Sequence, residues 1–80
     1  MARYRRDAKD RIEAVEARRR ALGVTLDAFC HDAGMSRWRW QDAKRTGLAF
    51  ERTIAAAERT VAGIERAARH AASAFPEDDA

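Results

Sequence analysis

The stretch SRWRWQDAKR, residues 36–45, sets two tryptophans two positions apart among arginines, with Gln41 and Lys44 close by. These residue types can read a nucleic acid: an Arg guanidinium donates two hydrogen bonds to guanine O6 and N7, and a Gln amide bridges adenine N6 and N7. On a helix each residue turns by about 100°, so Trp38 and Trp40 point about 200° apart and cannot bury against the same neighbours. Trp40 shares its side with the small residues Ser36, Ala43 and Gly47, which predicts a ring pressed into the core. Trp38 shares the other side with Gln41, Asp42 and Arg45, flanked by Arg37 and Lys44 on one edge and by Arg39 on the other. That side is polar and basic, so Trp38 is expected to stand exposed and to meet a partner.

If the partner is DNA, Arg39, Lys44 and the run Arg18, Arg19, Arg20 serve as phosphate contacts, which fix register without reading sequence. Trp38 then meets a thymine methyl or packs on sugar. Asp42 opposes nearby phosphates, unless it accepts from cytosine N4 or orients an arginine.

Four helices are predicted to hold this face. Ala8, Ile12, Val15 and Leu22 follow Tyr4 at helical spacing, giving a first helix over about residues 4–22 that Gly23 ends. Arg18, Arg19 and Arg20 also complement the negative end of that helix's macrodipole. Thr25 is an N-cap for LDAFCHDA, with Asp27 in the first turn and Gly34 as terminator. Ser36 caps a third helix that meets no breaker before Thr46-Gly47. Two short helices about a tight glycine turn have the layout of a helix-turn-helix.

A last helix is predicted over about 49–75, built from the seven-residue units ERTIAAA, ERTVAGI and ERAARHA. Phe50, Ile54, Ala57, Val61, Ile64, Ala68, Ala71 and Phe75 fall alternately four and three apart, as in an a/d seam. Its first half is expected to pack on the other helices, and the stretch beyond it either to form a homodimer contact through Ile64, Ala68, Ala71 and Phe75 or to fray. Glu51, Glu58 and Glu65 at e face Thr53, Thr60 and Ala67 at g, so a parallel coiled coil gains no charge pairs. PEDDA, residues 76–80, reads as a solvated, disordered acidic tail after a single domain over 1–75.

Composition agrees with an all-α domain. A chain of 80 residues buries only about 60% of its surface on folding, so the core is modest and oligomerisation is expected. With 46% hydrophobic and 36% charged residues, one proline and four glycines, it is neither a disordered segment nor a β-rich one. Residues 1–47 carry 12 Lys/Arg against 7 Asp/Glu, and residues 48–80 carry 4 against 6, so the basic excess favours a polyanion for the first part. The single Cys30 reads as a small core residue, and the lack of an apolar leader or of about 20 apolar residues in a row predicts a reducing cytoplasm and no membrane partner. His31 and His70 lie too far apart for zinc-ligand spacing, and no nucleophile–base set converges, so no metal, no small-molecule cofactor and no catalysis are expected.

Residues 25–37, TLDAFCHDAGMSR, resemble the helix-turn-helix core of the Cro and lambda-repressor type, also called XRE-like. Thr25, Phe29-Cys30, Ala33-Gly34 and Met35-Ser36 match that family's capping, apolar and turn positions, and Trp40 and Ala43 match its later apolar positions. With the amphipathic first helix, the similarity in layout covers about residues 5–62. The chain departs from the pattern at Leu26, where Gln is usual, at Cys30 and Lys44, where Ala and Glu are common, and at Trp38-Arg39, where residues are small.

The resemblance implies a compact helix-turn-helix bundle of about four helices with a long C-terminal one. Helix 36–46 would enter the major groove of double-stranded DNA, with Arg37, Trp38, Gln41 and Arg45 facing bases and Thr25 and Ser36 joining the phosphate contacts. The implied function is that of a small transcriptional regulator, a repressor of phage or bacterial kind. As a homodimer it would read an inverted-repeat operator whose half-sites lie about 34 Å apart. The rival expectation is a protein-binding module, such as a phage-encoded inhibitor of a host enzyme, in which Trp38 and its arginines meet an acidic surface. A third reading makes the long helix an assembly adaptor.

Overall fold

The structure is a computed structural model that describes residues 4–74; Phe75 and the tail 76–80 lie outside the described residues. It is all-α, with one short strand pair: β1 (Arg6–Asp7), α1 (Lys9–Leu22), α2 (Leu26–Ala33), α3 (Arg37–Thr46), β2 (Leu48–Ala49) and α4 (Glu51–Ala74).

Local chemistry sets the helix boundaries. The Thr25 side chain accepts a hydrogen bond from the Ala28 N–H at 3.1 Å, and the Ser36 hydroxyl oxygen accepts from the Arg39 N–H at 3.0 Å, so α2 and α3 each begin on a side-chain cap. Between them Gly34 has φ +71°, the left-handed conformation that side chains resist. Its N–H and that of Met35 donate to the His31 and Cys30 carbonyls, which closes α2 and turns the chain into α3.

Two predicted boundaries are corrected. The first helix starts at Lys9 and not near Tyr4, because Arg6 and Asp7 pair antiparallel with Ala49 and Leu48. The Ala8 N–H then donates to the Gly47 carbonyl at 2.9 Å, and the Asp7 carboxylate accepts from the Lys9 N–H at 3.1 Å to start α1. For the same reason α4 begins at Glu51 rather than 49. Two-residue strands carry no alternation for a sequence pattern to register.

The core forms where the four helices meet. Ile12 and Val15 of α1, Phe29 and Cys30 of α2, Trp40 and Ala43 of α3, and Ile54, Ala57 and Val61 of α4 are all buried. The Phe29 and Trp40 rings pack tilted, with centroids 5.3 Å apart, an arrangement aromatic pairs favour. Both α1 and α2 pack on α3 and on α4. Past Glu65, residues Arg66–Ala72 of α4 are exposed, and the molecule measures 54 Å in its long direction against 23 and 21 Å across. The last turns of α4 therefore project beyond the body.

The seven-residue repeat has an intramolecular use. Arg11 of α1 pairs with Glu51 at 2.8 Å and with Glu58 at 2.7 Å, and Arg18 forms a two-pronged pair with Glu65. Two arginines seven apart on α1 thus meet three glutamates seven apart on α4. The glutamate carboxyls are held below their ordinary range by these hydrogen bonds.

Candidate nucleic-acid interface

The geometry of α3 starts at its buried side. Trp40 is fully buried, and its indole N–H donates at 2.8 Å to Glu16 Oε2, an acid inside the core. Arg19 holds the same carboxylate with two hydrogen bonds of 2.8 Å, and Lys44 of α3 approaches it at 3.2 Å. Burial alone would raise the Glu16 pKa, but the hydrogen bonds from Arg19, Trp40 and Lys44 prevail and hold it at about 2. One ionised carboxylate therefore ties α3 to α1 and, with the packing of Trp40 and Ala43, sets the roll of α3.

That roll turns Arg37, Trp38, Gln41 and Arg45 outward, and all four are exposed. Trp38 is 74% exposed. Arg37 reaches Asp27 at 3.1 Å, an exposed pair that water and salt screen. Arg45 is paired with Asp42, which also accepts from Arg5 at 2.7 Å. The Asp42 charge is thereby offset by two guanidiniums. Arg37 and Arg39 stand in the first turn of α3, where no acid is present. Cations oppose the macrodipole there at a cost of about 0.3–1 kcal/mol each, and that cost reverses when an anion binds.

The side chains expected to meet phosphates divide. Arg18 is engaged by Glu65, and Arg19 by Glu16 and by the Val24 carbonyl at 2.8 Å, so both hold the fold together. Lys44 is half-buried on Glu16. Arg20, 3.6 Å from Glu16 and 70% exposed, and Arg39, also exposed, present cations to solvent. The Thr25 and Ser36 hydroxyls serve as helix caps, and each still has a proton to donate.

Sequence reading missed Glu16. Its signal was its position four residues after Ile12 and next to Val15, which places a carboxylate on the buried face of α1 with Arg19 and Arg20 three and four residues on. Also missed was a cleft of about 340 Å³ beside Trp38, where Leu48, Ala49 and Phe50 meet Arg5 and Arg39. No sequence signal marks it, because β1 and β2 bring those residues together.

Cys30 is buried, and burial pushes its thiol pKa up, which suits a packing role. Ile64 is half-buried, while Ala68 and Ala71 are exposed. Among the described residues no acid, His or Cys cluster could hold a metal ion, and no helix is long and apolar enough to cross a membrane. No protein-family model, curated protein or solved structure matches the chain.

Proposed function

We propose that this chain binds double-stranded DNA sequence-specifically as a small transcriptional regulator, a repressor of the Cro and lambda-repressor type, with α3 in the major groove. The observation that carries the reading is the division of α3: Trp40 and Ala43 are buried on one side, and Arg37, Trp38, Gln41 and Arg45 project from the other. Arginine and glutamine on one face of a helix offer the bidentate donors and acceptors that base edges require. The two first-turn arginines of α3, placed against the helix dipole, also support an anionic partner. Arg20 and Arg39 are the phosphate contacts best placed to act.

Selection of bound duplexes from a random library in about 150 mM salt, where non-specific binding weakens, tests the proposal. Enrichment of an inverted repeat supports a dimeric reader, and enrichment of a single site supports a monomeric one. On the selected duplex, Arg37→Ala and Gln41→Ala are each expected to cost about 1–3 kcal/mol and to relax specificity. Arg39→Ala is expected to weaken all sequences alike and lower the salt slope by about one. Equal losses on selected and random DNA for all three variants would overturn the assignment. The rival, a protein-binding module, is favoured by the cleft beside Trp38, and it gains if a folded chain enriches no sequence.

A further inference from the structure

We propose that the cleft beside Trp38 receives residues 75–79 of a second copy of this chain, with Phe75 as the apolar anchor and Glu77, Asp78 and Asp79 meeting the arginines at its rim. The cleft supplies the first half of the argument. Trp38, at 74% exposed, and Leu48, at 37%, are two of the three exposed large hydrophobic residues among the described ones, and both line it. Half-buried Phe50 and buried Ala43 and Ala49 form its floor. A volume of about 340 Å³ falls within the range of sites that take one bulky group.

Charge supplies the second half. Arg5 and Arg39 line the cleft, and with Arg45, which shares Asp42 with Arg5, three guanidiniums stand against that one acid and leave an excess of positive charge. An occupant must therefore pair an apolar side chain with carboxylates. Residues 75–79 read Phe-Pro-Glu-Asp-Asp, an aromatic ring followed after one residue by three acids. They enter by their chemistry alone, since they lie outside the described residues.

The occupant must come from another copy. The cleft sits at the start of α4, near Phe50 and Thr53, and α4 carries the chain about 32 Å away between Thr53 and Ala74. Phe75, the next residue, cannot return to its own cleft. Tail-to-cleft contact joins two different surfaces, so it closes as a reciprocal dimer or continues as a chain. If α3 reads DNA, the docked segment also covers Trp38 and competes with the duplex. That consequence rests on the proposed function, whereas the docking does not.

Sedimentation equilibrium of the whole chain, up to about 1 mM because a contact this small is weak, is the test. The parent is expected to self-associate, with Trp38→Ala and Phe75→Ala each weakening association by about tenfold or more. Mixed together, these two variants are expected to pair one to one, since one supplies an intact cleft and the other an intact segment. Trp38 is exposed, so its substitution removes no buried packing. A parent that stays monomeric, a single variant that associates like the parent, or a mixture that fails to pair overturns the proposal. Chains that associate but select no duplex leave the docking standing and overturn the DNA reading. Monomers that select a duplex do the reverse.

Discussion

Glu16 is the residue on which the position of α3 depends. Its carboxylate accepts from Trp40, Arg19 and Lys44 and so joins α1 to α3. Its pKa falls from the ordinary 4.5 to about 2 on folding, so its contribution is complete above about pH 4.5 and is lost as pH drops toward 2. Protonating it, or replacing it by Gln, is expected to cost about 3 kcal/mol, because Arg19 and Lys44 are left without their partner. The glutamates of α4 that pair with α1 also lose charge at low pH, so the informative comparison is with E16Q. Between about pH 6 and pH 2, urea unfolding of the parent should lose about 3 kcal/mol more than that of E16Q. Equal losses would show that the Glu16 charge does not hold the fold.

At the level of elements, two glycines of one chain answer the same substitution in opposite directions. Gly34 joins α2 to α3 at φ +71°, with open space where a Cβ would stand, so Gly34→Ala meets only backbone strain and is expected to cost about 1–2 kcal/mol. Gly63 lies inside α4, where an added Cβ would meet Arg66 Nη2 at an ordinary 3.8 Å. There Ala replaces the most flexible residue in a helical conformation, and Gly63→Ala is expected to stabilise by about 0.5–1 kcal/mol. Denaturant titrations of the two variants check both signs. The clasp between α1 and α4 is of another kind. Its arginine–glutamate pairs are partly exposed, so Arg18→Ala should cost about 1 kcal/mol or less, with the difference shrinking as salt is added.

Over the whole molecule, stability is unevenly spread. Ile54, Ala57 and Val61 hold the first half of α4 in the core, whereas Arg66–Ala72 are exposed. A stretch that short is marginally helical by itself. In hydrogen exchange on dilute monomer, amides of Arg66–Ala72 are therefore expected to open with far less free energy than those of Ile54–Val61, which should approach global unfolding. Uniform protection along α4 would mean that something covers its projecting end.

Much of the fold was legible from single residues because their effects are local. Thr25 and Ser36 cap, Gly34 and Gly47 take positive φ, and the apolar spacing assigns a buried and an open side to each helix; such rules act within one or two turns. The separation of Trp40 from Trp38 follows from the 100° step of a helix alone. Contacts between elements far apart in sequence were decided only by tertiary structure. Arg6–Asp7 pairs with Leu48–Ala49 across some forty residues and makes the cleft beside Trp38. Arg18 and Arg19 look identical in sequence, yet one turns to Glu65 of α4 and the other to Glu16 in the core. An arginine's charge is written in the sequence, but which carboxylate it meets depends on how the helices roll and pack against one another, and that is set by the buried side chains acting together.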